Sequence, residues 1–316
     1  MRRETALVAG GSRGLGLLVA AELAERGFHV EVCARDAEEL ERGASMLADR
    51  GLRIGTTVCD VTSADEVDDW VAATADPERP TTVAIHVAGV IQVGPAEVAG
   101  VEVFDQCLDI MARGPVHLSL AVLPGMRERG HGRIGIVSSV GGVVSVPHLV
   151  PYSTAKFAAA GLGQGLHAEL SGTGVTVSTI LPPLMRTGSH LHAQFVGQPE
   201  KEFAWFGPSA SAPVLTLAPE KAARRIVAGV LAGRPIVGLS WMTHLALRVH
   251  GLAPATTVRA AGLAGRLLPR AGRGQPPVAG RDARERTGGV VRLLTTVGDA
   301  IARRTNEDLP ATTDPS

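Results

Sequence analysis

A run of glycines between an apolar strand and an apolar helix, AGGSRGLG at residues 9–16, restricts the fold of this chain more than any other feature. Gly10 can adopt backbone angles closed to other residues, and Gly16 lets a helix pack closely against a strand. Gly14 lets a ligand approach the main chain, and the helix that follows offers unpaired N–H groups to a pyrophosphate. Because the loop follows the first strand and opens the first helix, we expect it to bind a dinucleotide rather than only to turn the chain.

Strand-like and helix-like segments alternate from this loop to about residue 240. Apolar strands are predicted at 5–11, 28–34, 53–61, 81–89, 132–140 and 174–183, and helices at 15–27, 36–51, 63–74, 97–128 and 151–171. Such alternation predicts an α/β fold, a doubly wound parallel sheet of Rossmann type with helices on both faces. We expect residues 1–240 to form this domain and 241–316 a mostly helical, arginine-rich extension. Within the extension, 271–289 is predicted to be a mobile linker and 290–304 a helix.

The composition excludes several classes of function. The formal net charge is zero, so the chain lacks the excess of positive charge that is typical of nucleic-acid binding. No apolar run approaches the ~20 residues of a membrane span. The three cysteines lack ligand spacing, so we predict reduced thiols, a cytoplasmic protein and no metal site. The arginines of the extension are interpreted as solvated, with peripheral contact to a membrane surface or partner as the alternative.

PYSTAK, residues 151–156, contains the only tyrosine of the chain and the first of three lysines. Pro151 suits the first turn of a helix, and Tyr152 and Lys156 are then one turn apart on one face. Tyrosine has a pKa of about 10, and a nearby ammonium is expected to lower that pKa toward working pH. Ser139 ends the strand at 132–140, where its hydroxyl can hold a substrate carbonyl while Tyr152 donates the proton. These three residues are the predicted catalytic set.

The end of the second strand indicates which nicotinamide cofactor the loop holds. An acidic residue is expected there for NAD, but the chain has Ala34 followed by Arg35, and Arg13 lies in the glycine loop. Two guanidiniums near the adenosine ribose favour a 2′-phosphate, so we predict NADP rather than NAD. The alternatives are that both arginines are ordinary surface residues, or that Asp36 changes the preference.

Together these motifs resemble the short-chain dehydrogenase/reductase family, from about residue 4 to 240. AGGSRGLG resembles the family's TGxxxGxG, HVAG (86–89) its NNAG, PPLMRT (182–187) its PGxxxT, and YSTAK its YxxxK. The resemblance implies that Asp60 contacts the adenine, that Ala88 and Gly89 line the adenosine side, and that Thr187 contacts the nicotinamide carboxamide. The predicted cofactor-binding residues are Gly10, Ser12, Arg13, Gly14, Leu15, Gly16, Arg35, Asp60, Val61, Ala88, Gly89, Tyr152, Lys156, Pro182 and Thr187.

The resemblance also implies a substrate lid and an assembly. The segment at about 184–216 would cover the substrate, and its four aromatic residues suggest a hydrophobic small molecule, unless they pack against one another. A homodimer or homotetramer would be built on helices 97–128 and 151–171.

Four positions depart from the family pattern. Met111 stands where the family has the asparagine of its proton-relay water chain, and His86, Val87 and Pro183 replace two asparagines and a glycine. Methionine cannot supply the asparagine's hydrogen bonds, although a backbone carbonyl at 111 can still hold water. Two hypotheses follow: an NADP(H)-dependent enzyme interconverting carbonyl and alcohol, or a catalytically weak dinucleotide-binding sensor or scaffold.

Overall fold

A seven-stranded parallel sheet forms the centre of the protein in this computed structural model, which describes residues 4–211, 216–272 and 276–307. Its strands are β1 (Thr5–Ala9), β2 (His29–Ala34), β3 (Gly55–Val58), β4 (Thr81–His86), β6 (Gly132–Val137), β7 (Val175–Leu181) and β9 (Ile236–Gly238). Their order across the sheet is β3-β2-β1-β4-β6-β7-β9, so the chain winds outward in both directions from β1 and β4. A small second sheet contains β5 (Gln92–Val93), β8 (Gln194–Phe195) and β10 (Val278–Ala279).

Helices cover both faces of the central sheet, as predicted. All of β1 is buried, and its successive side chains enter opposite cores because strand side chains alternate. Ala6 and Val8 pack with helices of one face, at 14–25 and 219–231, whereas Leu7 and Ala9 pack with helices of the other face. The helices described are α1 (Gly14–Glu25), α2 (Ala37–Ala48), α3 (Ala64–Ala73), α4 (Val101–Leu108), α5 (Gly114–Glu128), α6 (Val150–Glu169), α7 (Ser189–His192), α8 (Pro199–Ser211), α9 (Pro219–Leu231), α10 (Trp241–Leu252), α11 (Pro254–Gly265), α12 (Gly280–Glu285) and α13 (Gly289–Arg304).

The predicted helix 97–128 is interrupted. A wide π-helical turn, Asp109–Arg113, separates α4 from α5. π-turns widen a helix by one residue and occur frequently at functional sites. This turn carries Met111 into the interior, where the residue is almost completely buried.

The C-terminal extension returns to the first 240 residues. β10 pairs antiparallel with β8, and α13 packs along α8. The prediction of a linker over 271–289 is therefore wrong for 278–285, which form β10 and α12, because Val278 pairs with Phe195 and Ala283 is fully buried. Residues 273–275 of that segment and 212–215 of the predicted lid lie outside the described residues. Among the described helices, none combines the length and apolar character needed to cross a membrane.

Candidate active site

The glycine loop has the geometry that its sequence predicts. Gly10 and Gly14 have φ values of 81° and 55°, in the left-handed region that favours glycine. A Cβ on Gly16 would lie 1.8 Å from the carbonyl oxygen of Gly10, so only glycine lets α1 start this close to β1. A Cβ on Gly10 would lie 2.6 Å from the backbone of Ala88. The glycines therefore bring the main chain of the loop to the N-terminus of α1, the position where a dinucleotide pyrophosphate would be held.

The three predicted catalytic residues meet beside the carboxyl ends of β6 and β7. Tyr152 and Lys156 lie one turn apart on α6, with the lysine Nζ 5.7 Å from the centre of the tyrosine ring. Ser139 follows β6, and its Oγ accepts a hydrogen bond of 3.0 Å from the Gly141 N–H. A Cβ on Gly141 would lie 3.4 Å from the Tyr152 ring and 3.5 Å from Ser139 Oγ, so the serine and tyrosine border the same small space.

Hydrogen bonds hold α6 against the end of β6. Lys156 Nζ donates to the carbonyl oxygen of Val137 at 2.8 Å, and Ser138 Oγ donates to the carbonyl oxygen of Lys156 at 2.7 Å. A side chain on Gly142 would collide with both Ser138 and the Lys156 backbone. The strand end and the helix thus fix the lysine in one position.

Burial controls the ionisation of the pair. It lowers the pKa of Lys156 to about 8, because a buried ammonium loses its hydration. Burial also raises the pKa of Tyr152, while the interaction of its hydroxyl with Ser139 acts in the opposite direction. We expected Lys156 to lower the pKa of Tyr152, but in this structure that pKa is raised, mainly because the phenol is buried.

Met111 lies next to the lysine. A Cβ on Gly89 would be 3.2 Å from Met111 Sδ and 3.6 Å from Lys156 Nζ, so thioether and ammonium border the same point.

His86, at the end of β4, is buried, and its Nε2 has no hydrogen-bond partner among the described residues. Burial lowers the pKa of His86 to about 3, which keeps the imidazole neutral beside Lys156.

A cavity of about 1060 Å³ joins the glycine loop to the catalytic residues. Every residue predicted from the sequence for catalysis or for cofactor binding lines this cavity. Apolar side chains also line the cavity, among them Ile91, Val146, Leu149, Leu184 and Phe206. The structure therefore brings the whole predicted set together beside an apolar lining.

The predicted lid contains four aromatic residues, which are Phe195, Phe203, Trp205 and Phe206, and not all of them face the cavity. Phe195 and Phe203 are fully buried and pack edge to face, with ring centres 5.5 Å apart. Phe206 contacts Phe195 from the other side and lines the cavity, whereas Trp205 Nε1 donates to Glu202 at 2.7 Å. The aromatic cluster is thus mainly a small core under the lid, with Phe206 as its face toward the cavity.

At the adenosine end, the structure adds an acidic residue that sequence reasoning missed. Glu39 is buried, accepts a hydrogen bond from Ser12 Oγ, and pairs with Arg13 at 3.2 Å. Arg35 is largely exposed, with its Nη1 3.9 Å from Asp60 Oδ2. The sequence contains one indication of this position, because Glu39 lies three residues after Asp36, the spacing of a helix capping box. In the structure the Asp36 carboxylate caps α2 by accepting a hydrogen bond of 2.8 Å from the Glu39 N–H.

The chain after α13 also reaches the glycine loop. The Gly14 N–H donates to the carbonyl oxygen of Thr305 at 2.7 Å, and Asn306 Nδ2 donates to the carbonyl oxygen of Ser12 at 2.9 Å. Glu307 lines the cavity. The sequence carried one signal for this contact, since Asn306 is the only asparagine of the chain.

No metal centre is present in the part of the chain that the structure describes, because no three His, Cys, Asp or Glu side chains converge there. Cys33, Cys59 and Cys107 are buried free thiols, as predicted.

Comparison with known proteins agrees with this geometry. A family model described as short chain dehydrogenase matches residues 4–194. A putative ketoacyl reductase of Streptomyces coelicolor is 34% identical over 186 residues, 58% of this chain and 71% of that protein. Dehydrogenase/reductase SDR family member 4 of Sus scrofa is 34% identical over 188 residues, 59% of this chain and 67% of that protein. A variant of actinorhodin polyketide ketoreductase, crystallised with NADPH, superposes with a TM-score of 0.66 at 28% identity, covering 74% of this chain and 95% of its own.

Proposed function

Because the chain belongs to the short-chain dehydrogenase/reductase family, we propose that it is an NADP(H)-dependent reductase of carbonyl groups on hydrophobic small molecules. The observation that carries the proposal is the convergence of Ser139, Tyr152 and Lys156 in one cavity with the glycine loop. Members of the family are oxidoreductases that use a nicotinamide dinucleotide, and the actinorhodin ketoreductase variant was crystallised with NADPH.

The residues divide the work of carbonyl reduction among them. Ser139 Oγ accepts from the Gly141 N–H and interacts with the Tyr152 hydroxyl, so its own proton can be donated to a substrate oxygen that binds beside the tyrosine. Tyr152, whose raised pKa keeps it protonated at neutral pH, donates the proton to that oxygen. Lys156 holds positive charge beside the tyrosine below its pKa of about 8, which favours the phenolate left behind. The bound nicotinamide dinucleotide would supply the hydride, and the residues of the glycine loop would hold its pyrophosphate.

The substrate class follows from the apolar residues that line the cavity. A lining that includes Ile91, Val146, Leu149, Leu184 and Phe206 suits an apolar molecule with one ketone or aldehyde group. The ketoacyl and polyketide reductases among the relatives make β-ketoacyl compounds the first substrates to test.

A second function is favoured by one observation. Met111 places an apolar thioether beside Lys156 where the family has asparagine. A chain that binds NADPH but cannot re-protonate Tyr152 would act as a cofactor-dependent sensor or scaffold.

The test uses the purified full-length chain. NADPH oxidation is followed by absorbance with a panel of apolar ketones and β-ketoacyl thioesters, for the parent and for Tyr152→Phe. Loss of the general acid lowers kcat roughly 10²- to 10⁴-fold, while NADPH affinity stays the same. Thr154→Ala, exposed on the same helix, is the matched control and keeps full activity. Equal activity of Tyr152→Phe would remove the tyrosine from the mechanism, and NADPH binding without turnover of any carbonyl would favour the sensor.

We also propose a homodimer or homotetramer, acting in the cytoplasm. Support for the assembly comes from exposed apolar side chains on the predicted interface helices: Val101 on α4, Leu120 on α5 and Phe157 on α6. Light scattering of the parent and of Leu120→Asp tests the assembly, and a parent that is monomeric would contradict it.

A further inference from the structure

Residues 305–307, which follow α13, lie against the part of the glycine loop that would bind an anion. The Gly14 N–H, the first of α1, donates to the Thr305 carbonyl oxygen. Glu307 Oε2 accepts from the Gly188 N–H at 2.8 Å, and Glu307 Oε1 lies 3.0 Å from where a Cβ of Gly14 would be. A carboxylate therefore sits between the N-terminus of α1 and the Thr187–Gly188 backbone. These N–H groups and the helix dipole are what a cofactor pyrophosphate would use.

We propose that residues 305–307 are an internal ligand of the pyrophosphate subsite, which NADPH must displace in order to bind. The proposal rests on the cofactor named under the proposed function. It adds that the affinity for the cofactor is set partly by the chain's own C-terminal segment.

The segment is held by specific hydrogen bonds on every side. Asn306 Nδ2 donates to the carbonyl oxygens of Ser12 and Glu39, at 2.9 and 2.8 Å. Thr305 Oγ1 donates to Glu307 Oε2 at 2.7 Å, and His192 Nε2 donates to the Glu307 carbonyl oxygen at 2.7 Å. Asn306 has a φ of 60°, a conformation that asparagine adopts more readily than most residues. All three residues of the segment are buried, which indicates a built contact rather than a chance approach.

Asn306 separates this proposal from simple charge repulsion. Removing Glu307 would tighten NADPH binding merely by deleting a negative charge near the phosphates. Asn306 is neutral, and its partners are two carbonyl oxygens that cannot bind a phosphate. Asn306→Ala therefore weakens the docked segment and leaves the charge of the subsite unchanged.

Asn306→Ala should tighten NADPH binding by roughly five- to tenfold, because a docked segment lowers the apparent affinity by the fraction of molecules that are open. The dissociation constant is measured by calorimetry on the full-length chain. Gln164→Ala, which truncates an exposed amide on α6, is the matched control and leaves the constant unchanged.

A second measurement needs no variant. Because binding and displacement are linked, NADPH should accelerate tryptic cleavage at Arg303 and Arg304, next to the segment, whereas a ligand that merely stabilises the fold would slow it. Slower cleavage with NADPH, or an unchanged constant for Asn306→Ala, would overturn the internal ligand and leave the proposed enzyme intact. A parent and variants that all fail to bind NADPH would overturn both proposals.

A separate observation concerns α10 and α11, which lie at the surface. Their exposed apolar side chains include Leu252, 88% exposed, and Trp241, 72% exposed. Leu267, just after α11, is also 88% exposed, and Thr243 is the only buried residue described in either helix. Trp241, Leu245, Val249 and Leu252 recur at helical spacing along α10, so they form one face.

The charged side chains of the segment that carries this face are all of one sign. Segment 241–270 contains four exposed arginines and no aspartate or glutamate; the arginines are Arg248, Arg259, Arg266 and Arg270. A second copy of the face would bring arginines together, whereas anionic lipid headgroups would pair with them. A tryptophan at the edge of an apolar helix face is typical of the membrane interface.

We infer that α10 and α11 dock on the surface of an anionic lipid bilayer. Met242, Thr243 and Ala246 of α10 line the cavity, so docking would place the bilayer next to the entrance for an apolar substrate. This inference does not depend on catalysis and is tested by binding alone.

The full-length chain is sedimented with vesicles of phosphatidylcholine containing phosphatidylglycerol, and with vesicles of phosphatidylcholine alone. We expect binding to the anionic vesicles that weakens with salt, and at least a roughly tenfold loss for the Leu252→Asp, Leu267→Asp double variant. Val290→Asp, the same kind of change at an exposed position of α13, is the control and binds like the parent. Failure to bind anionic vesicles would overturn the inference, as would an oligomer that the double variant dissociates, because a second copy would then cover this face.

Discussion

The environment of Lys156 provides the sharpest test of how this site handles protons. The pKa of the buried lysine is lowered from 10.5 to about 8, which corresponds to a cost of about 3 kcal/mol for holding the charge inside the protein at pH 7. Its one hydrogen bond to protein among the described residues goes to the Val137 carbonyl oxygen. Met111 Sδ borders the same space without accepting a strong hydrogen bond.

Met111→Asn would place an amide oxygen where the sulfur now lies. A hydrogen bond from an ammonium to such an oxygen contributes about 1.5–3 kcal/mol, which recovers part of the desolvation cost. We therefore expect the pKa of Lys156 to rise by about one to two units in the variant.

The pH dependence of kcat/KM for carbonyl reduction measures this change. Activity of the parent should fall as pH rises through about 8, because Lys156 loses its proton before Tyr152, whose pKa is raised. In Met111→Asn this fall should begin about one to two pH units higher, whereas Met111→Leu, which stays apolar, should match the parent. An unmoved profile in the asparagine variant would refute the assignment of the fall to Lys156.

Stability gives a second readout that does not require turnover. The folded-state pKa of Lys156 lies below its unfolded value, so the unfolded chain binds more protons between pH 8 and 10.5. The free energy of unfolding from this group therefore rises with pH across that window. Urea titrations should show a smaller rise in Met111→Asn, and an equal rise would count against the predicted hydrogen bond.

Two further substitutions test the glycine loop and the buried histidine at the end of β4. Gly16→Ala places a Cβ 1.8 Å from the Gly10 carbonyl oxygen. This variant should bind NADPH at least tenfold more weakly, measured by calorimetry, and should be destabilised by roughly 1–3 kcal/mol, measured by urea titration. Gly161→Ala, in open space on α6, is the control and should be neutral or slightly stabilising. The pKa of His86 is lowered to about 3 in the folded protein, so below pH 6.5 the unfolded chain binds more protons at this residue than the folded chain does. His86 should therefore reduce the free energy of unfolding by about 1.4 kcal/mol for each pH unit as pH falls from 6.5 toward 3. In His86→Asn the free energy of unfolding should fall less steeply between pH 6.5 and 3, and an unchanged pH dependence would mean that His86 does not take up a proton on unfolding.

Local patterns were enough to predict most of the fold and the membership of the site. AGGSRGLG needed only its place between a strand and a helix, because the backbone angles of its glycines follow from the residue type. The i, i+4 spacing of Tyr152 and Lys156 puts them on one face of any helix. Ser139 joins them because the carboxyl ends of parallel strands meet at one edge of the sheet.

What the sequence by itself determined was therefore which residues meet in the cavity, while only the tertiary structure decided their electrostatic surroundings. The pKa of Tyr152 rises rather than falls because burial depends on every element packed around the ring. Arg13 faces Glu39 and His192, which are 26 and 179 residues away in the chain. The hydrogen bonds of Asn306 to Ser12 and Glu39 likewise join distant parts of the sequence. Spacing fixes neighbours within a helix or strand, but burial and long-range contact exist only once the chain has folded.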